Sequence, residues 1–329
     1  MNAKILIRSI SDAIWQGLEF LAGKNERSVE SEARFAINNY VEAQMQKNVR
    51  SPRLIEVSIR LSEALGQVNS FKRGGAIKPS KIAEAVGEQR AEEAENWFTG
   101  LKEPTFNQLD AIADYLGCGP EFLKHGDGEL YPTQYCRIPE NAEEGIKWLL
   151  DPDGHEAVIG LHFLRSADET GTLLVVKQYD NIRCKVFTTP YHISEHIGNG
   201  GETALKHLSL MFELLYKIYP NMPDMNIKSY LVNNEDLRPV FEGKTHPLFL
   251  IQSDAKEQPW WEDIWDFAQV QKSNYWPGWR ELCARINRIV EMSPRVVKER
   301  ESIRDGTHPL LKSDVKSIHG TVVNFSSYL

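Results

Sequence analysis

The chain has 329 residues, 41% hydrophobic and 26% charged, enough to bury a sizeable core in two or three domains. Its 46 acidic against 38 basic residues give a net charge of −8, which excludes a general polyanion binder: any nucleic-acid contact must come from a local patch. Four scattered cysteines, Cys118, Cys136, Cys184 and Cys283, show neither a disulfide framework nor metal-ligand spacing, as expected of a reducing, cytoplasmic compartment. The N-terminal apolar run is broken by Arg8 and Asp12 and does not read as a signal peptide, and no window is apolar enough to span a membrane.

Lys4-Ile5-Leu6-Ile7-Arg8 reads as one short strand. No second strand follows it, and a lone strand is not stable in water, so the expected partner is the same strand of a second copy. Period-2 alternation points Ile5 and Ile7 toward the helices and Lys4, Leu6 and Arg8 outward. A two-stranded ribbon fits the major groove of B-DNA, where lysine and arginine suit the acceptor edge of guanine. A helix carrying Ile14, Leu18, Leu21 and Ala22 follows, then a turn at Gly23–Glu26 and a second helix opened by Arg27-Ser28-Val29-Glu30. Ser28 is the expected cap, the free amides at that helix start suit a DNA phosphate, and Arg27 beside them is a further expected DNA contact.

Ile5 through Asp12, followed by Arg27-Ser28-Val29-Glu30-Ser31-Glu32-Ala33-Arg34, resembles the FitA class of ribbon-helix-helix antitoxins over residues 1–46. The resemblance implies an intertwined homodimer whose ribbon reads DNA through Lys4, Leu6 and Arg8, and a partner toxin held by the segment that follows. The alternative for Lys4 and Arg8 is a solubilising role on an edge strand.

Residues 47–53 form a polar, basic linker. Residues 54–132 read as all-helical, punctuated by Pro79, Gly87, Gly100, Pro104-Thr105, Gly117 and Pro120. Lys81-Ile82-Ala83-Glu84-Ala85-Val86-Gly87, Asn96-Trp97-Phe98-Thr99-Gly100 and Leu109 through Gly117 resemble the five-helix repressor (Cro/C1, or XRE) family. The resemblance implies a second DNA reader, with Gln89, Arg90 and Asn96 at base edges. Charge argues the other way: residues 54–132 hold 8 basic and 13 acidic side chains, and the recognition helix itself carries Glu92, Glu93 and Glu95. A helical fold kept for packing, dimerisation or partner docking is the alternative.

From residue 133 to 329 the pattern becomes α+β, with no family resemblance. Strands are expected at 157–164, 172–179, 183–188, 226–232 and 247–251 in an antiparallel sheet, with a closing strand at 321–325. A strong amphipathic helix is expected at 202–219. Trp260, Trp261, Trp265, Phe267, Tyr275, Trp276 and Trp279 read as core or inter-domain packing, with a ligand pocket or protein interface as the alternative. Arg295, Lys298, Arg300 and Arg304 read as a solvated helix face.

No catalytic motif is present: there is no phosphate loop, Gly-x-Ser-x-Gly, His-Glu-x-x-His or dinucleotide fingerprint. His155, His162, His192 and His196 read as ordinary surface or core histidines. Asp153 and Glu156 before Val175-Val176-Lys177 faintly resemble a restriction-type nuclease, but Val175 stands where a carboxylate is needed. No enzyme, metal or cofactor is expected. The fold class expected is therefore multidomain: an all-α half built of ribbon-helix-helix and helix-turn-helix modules, then an α+β domain. The expected function is a cytoplasmic, nucleoid-associated DNA-binding repressor or autoregulator. It would act on double-stranded DNA as a homodimer or higher even oligomer, with a protein partner or small-molecule ligand at the C-terminal domain and no membrane. An antitoxin-like protein that neutralises a partner while autoregulating its operon is the alternative.

Overall fold

The computed structural model describes residues 7–48, 51–153 and 157–312, with the backbone alone at 42–48 and 199. The chain forms two compact units, Met1–Glu56 and Val57–Leu329.

In the first unit, α1 (Asp12–Lys24) and α2 (Val29–Asn48) are joined by a tight connection. The amide of Arg27 donates to the carbonyl of Ala22 at 2.9 Å, and Glu26 turns the chain with a φ of 52°. Leu18 and Ala22 on α1 and Val29, Ala33 and Ile37 on α2 are among the buried or half-buried apolar positions. The last helical position of α1 is thus closed by backbone bonds, and the next helix starts at once.

The second unit begins with helices α3 (Pro52–Phe71, of which Val57 onward belongs here), α4 (Pro79–Ala85), α5 (Ala91–Phe98), α6 (Phe106–Leu116) and α7 (Pro120–His125). Their ends follow local chemistry. Pro79 and Pro120 occupy first-turn positions, where a missing N–H costs nothing. Thr105 and Gln108 form a reciprocal capping box on α6. Gly117 closes α6 in the left-handed region at φ 65°, and a Cβ there would lie 3.2 Å from the Arg183 Cα. Leu61, Val68, Ile82, Trp97, Leu109, Ile112, Leu116 and Leu123 fill the centre of this layer.

Packing continues across 126–133, where the composition changes. Ile182 and Leu248, from beyond that point, are members of the same helical core. Gln67 on α3 donates to the Lys244 carbonyl (2.8 Å) and accepts from the His246 amide (3.1 Å). The Tyr131 amide donates to the Gly243 carbonyl at 2.8 Å.

The remainder runs β1 (Thr133–Tyr135), α8 (Ala142–Leu150), β2 (Gly160–Ser166), β3 (Thr172–Gln178), β4 (Cys184–His192), α9 (Asn199–Ile218) and β5 (Asn226–Val232). Then come α10 (Asn234–Phe241), α11 (Pro247–Ser253), β6 (Lys256–Glu257), α12 (Trp260–Asp263), α13 (Phe267–Val270), α14 (Trp279–Glu291), α15 (Pro294–Arg304) and α16 (Pro309–Lys312). The sheet order is β1-β4-β3-β2-β5-β6. The expectation of an antiparallel sheet is corrected here: β2 with β5 and β1 with β4 pair in parallel, and the other three pairings are antiparallel. After β4 the chain crosses through the 20-residue α9 and returns beside β2 in the same direction, a connection long enough for parallel neighbours. Both faces are covered. Leu161, Phe163, Leu173 and Val175 pack toward α8, α9 and α14, while Leu164, Leu174 and Val176 pack with residues of α10 and α11. Burial on both sides explains why Leu173 to Val176 is continuously apolar rather than alternating.

The strand expected at 247–251 is also corrected: it is helix α11. Pro247 starts it and the His246 Nδ1 accepts from the Leu248 amide at 3.2 Å. Leu248 enters the helical core and Leu250 the second sheet core, so the run is apolar all round. Of the C-terminal tryptophans, Trp260, Trp261, Trp276 and Trp279 are core residues and Trp265 packs half-buried against them, while Phe267 is exposed. Trp260, Trp261 and Trp279 are fully buried, and Trp276 meets Trp279 edge-on at 4.7 Å. The expected strand at 321–325 lies outside the described residues. Among the described residues no helix is long and apolar enough to cross a membrane.

Candidate nucleic-acid interface

Lys4 and Leu6 lie outside the described residues, as does most of the expected strand. Ile7 and Arg8 are exposed in irregular backbone just ahead of α1. Ser28 caps α2: its Oγ accepts from the Ser31 amide at 3.1 Å. Arg27 is held within its own unit, its guanidinium 3.6 Å from the buried Glu32 carboxylate and 4.2 Å above the Phe35 ring. Glu32 also accepts from Asn25 at 2.9 Å. Arg27 therefore fixes the α1–α2 turn, a job the sequence reading did not assign to it.

The helix pair leaves much apolar surface in water. Ile14, Trp15, Phe20 and Leu21 on α1 and Phe35, Tyr40 and Val41 on α2 are all exposed, Phe20 by 72% and Tyr40 by 67%. Of the described side chains in this unit, only Ala22 and Glu32 are buried. Scattered single apolar residues need no explanation, but seven exposed on one helix pair leave little of its apolar surface buried within the unit.

In the second unit, α4 and α5 are consecutive short helices packed on each other. Gly87 makes the turn at φ 82°, and Gln89 and Arg90 stand exposed before α5, with Arg90 at its cap in extended backbone. Asn96 is half-buried, and its carbonyl accepts the Leu101 and Lys102 amides at 2.8 and 3.2 Å. The structure thus brings Gln89 and Arg90 to one exposed corner and turns Asn96 partly inward. Glu92 and Glu95 are exposed on α5, and Glu93 pairs with Lys102. Lys81 is matched by Glu84 at 2.9 Å, which holds its pKa above the ordinary value. Lys72 donates to the Gly75 carbonyl at 3.3 Å, and Arg73 and Lys78 are exposed beside the same loop. Lys72, Arg73 and Lys78 sit before α4, Lys81 on it beside Glu84, and Arg90 at the start of α5, while Glu92, Glu93 and Glu95 lie on α5.

The residues weighed for catalysis are partly assembled. Asp153 pairs with Lys185 and accepts from the Tyr179 hydroxyl at 3.2 Å; its carboxyl is held below the ordinary range by these partners against the opposing cost of burial. Lys177 is buried on the α8–α9 face of β3, donates to the Trp148 carbonyl, and lies 4.6 Å from the Trp148 ring and 5.1 Å from Phe187. Burial pushes its pKa down to about 8, against the attraction of Asp153 and Asp151. Val175, in the position a nuclease gives to a carboxylate, is core. Glu156 and His155 lie outside the described residues. His162 is buried between Gln178 (2.9 Å) and the Tyr230 hydroxyl (3.4 Å), and burial lowers its pKa. His192 is exposed, and so is His196, which faces Glu195 at 3.4 Å. Among the described residues no group of three or more His, Cys, Asp or Glu is arranged to hold a metal ion.

The burial of Lys177 has no local signal in the chain. Its surroundings on Trp148 and Phe187 come from separate elements. No family model, curated protein or solved structure matches the chain.

Proposed function

We propose that the chain is a sequence-specific DNA-binding regulator, a repressor or autoregulator, that acts as a homodimer or higher even oligomer. In this reading residues 1–46 form a ribbon-helix-helix module whose paired strands present Lys4, Leu6 and Arg8 to the major groove. Ser28 and its neighbouring amides take a phosphate. The observation that carries the reading is the apolar surface of α1 and α2. Two helices that bury so little cannot hold together alone, and a second copy brings the same apolar set to a two-fold axis. Arg8 is exposed ahead of α1, where DNA can reach it. The helix-turn-helix supports a subsidiary role: Gln89 and Arg90 are presented, but the exposed glutamates of α5 oppose a close approach to phosphates.

The test is binding of the full chain to its own upstream region across a salt series, with sedimentation of the free protein alongside. Arg8→Ala is expected to weaken the specific complex by roughly 1–3 kcal/mol, about ten- to hundredfold, while leaving the dimer intact. Gln89→Ala with Arg90→Ala is expected to weaken it less. A specific complex that survives Arg8→Ala unchanged overturns the reading. A monomeric free protein with no DNA complex would move the exposed helix face to a different protein partner, as in an antitoxin.

A further inference from the structure

Residues 72–81, Lys-Arg-Gly-Gly-Ala-Ile-Lys-Pro-Ser-Lys, hold four basic side chains and no acidic one, in a chain whose net charge is −8. The segment leads from α3 into α4, and its base is fixed in the helical layer. Phe71 and Ile77 are buried in the same core. The Asn69 side chain closes the base: its amide donates to the Ile77 carbonyl at 2.9 Å and its oxygen accepts from the Ile77 amide at 2.6 Å. Between these anchors Gly74 and Gly75 turn the chain at φ 90° and 102°, a region open to glycine and costly for other residues. Adjoining residues aside, no heavy atom of the described chain lies within 4 Å of where a Cβ would stand at either glycine, so the tip is uncrowded.

The four cations differ in how they are matched. Lys81 pairs with Glu84 at 2.9 Å, and Lys72 donates to the Gly75 carbonyl at 3.3 Å. Arg73 and Lys78 are exposed, one beside the glycine tip and one directly before Pro79, and among the described residues neither is ion-paired. A loop already closed at its base loses little freedom when a partner settles on it. The exposed Glu92 and Glu95 stand on α5 instead, where they oppose a polyanion.

We infer that the second unit grips duplex DNA by its phosphate backbone through Arg73 and Lys78, in a contact that does not read bases. The inference rests on the DNA-binding function proposed above, which supplies the duplex as the partner. Unmatched cations on an open glycine tip suit a run of phosphates, because each neutralised phosphate releases a counterion. Such a contact is indifferent to sequence and falls steeply with salt. The loop therefore adds affinity and register, and leaves sequence choice to the base contacts.

The test measures binding of the full chain to its own upstream region and to an unrelated duplex of equal length, across a salt series. Arg73→Gln with Lys78→Gln removes two cations at exposed positions. It is expected to flatten the plot of log K against log salt by about 1.8 on both duplexes, a loss of roughly sixtyfold at about 0.1 M salt when about 1 M is the reference. The preference for the upstream region is expected to stay as in wild type. Lys272→Gln with Lys298→Gln makes the same change of net charge at exposed positions elsewhere in the second unit, and is expected to leave the slope alone. A specific complex whose slope ignores the loop variant, a slope lowered equally by the control, or a loss confined to the upstream region overturns the inference and leaves the proposed function standing. Loop-dependent, salt-sensitive binding to both duplexes without preference upholds the inference and overturns sequence-specific regulation. No complex with either duplex overturns both.

Discussion

Replacing Lys177 with methionine tests the energetics of the sheet core. The side chain is 2% exposed, and its amine titrates at about 8 instead of 10.5. At 1.36 kcal/mol per unit, the charged form costs about 3 kcal/mol at pH 7 relative to the unfolded chain. Methionine has a similar length and no charge to desolvate, but it loses the hydrogen bond to the Trp148 carbonyl, worth about 1 kcal/mol. Lys177→Met should therefore stabilise the second unit by about 2 kcal/mol at pH 7. The pH dependence fixes the cause. Between about 8 and 10.5 the unfolded lysine still binds a proton that the folded one has released, so wild-type stability rises with pH through this window. The advantage of the variant should shrink by roughly 2.5 kcal/mol between pH 7 and pH 10 and there change sign. Urea unfolding of both full-length proteins at the two pH values, followed by tryptophan fluorescence, measures the difference, and every other titrating group cancels in the comparison. A variant that is less stable at pH 7, by the same amount as at pH 10, would show that Lys177 is not a strained cation and would refute the argument.

Two further predictions follow from partnered groups. Arg304 donates to Glu213 at 2.6 Å, and Glu213 is only 1% exposed, its pKa raised by burial in spite of that partner. Arg304→Met should destabilise the second unit by roughly 3 kcal/mol at pH 7 and less at pH 5. Without the arginine the folded carboxyl holds its proton to higher pH than the unfolded one, so stability is lost as pH rises. Thermal melts at pH 5 and 7 that shift equally would count against this. Ser28→Ala should cost about 1 kcal/mol of α2 stability by loss of the cap, visible in the first unit's unfolding; Ser28→Asp should restore the helix. If Ser28 also meets a DNA phosphate, Ser28→Asp will bind DNA worse than Ser28→Ala, whereas a purely structural role predicts the reverse order.

Much of the helical layer was legible because its ends are written locally. Pro79, Gly87, Thr105, Gln108, Gly117 and Pro120 each do one conformational task that depends on near neighbours in sequence, and Ala91–Phe98 forms with the bounds read from the pattern. What was not legible depends on distant pairing. The parallel partnership of β2 and β5 links strands separated by β3, β4 and α9, and no local signal states which edge the returning strand takes. Segment 247–251 was misread because a short run apolar on every side suits a buried strand or a buried helix equally, and here two cores flank it. For the candidate interface, Ser28 caps α2 as its place before the helix suggested, but no local signal told that Arg27 is held by Glu32 and Phe35.

The composition break near residue 126 marks a change of pattern without a change of core. Ile182 comes from the tip of the β3–β4 hairpin and Leu248 from α11, yet both complete the packing around Leu61, Leu109 and Leu116. Phe71 of α3 stacks on His246 at 4.3 Å, and burial drives that imidazole down to about 3, so it remains a neutral acceptor for the Leu248 amide at any physiological pH. The helical layer is thus fastened to the sheet by apolar contacts and neutral hydrogen bonds, with one ion pair, Arg183 to Asp114 at 3.7 Å, beside them. Because Ile182 and Leu248 complete the core around Leu61, Leu109 and Leu116, substitutions at either position are felt by the helical layer and the sheet together.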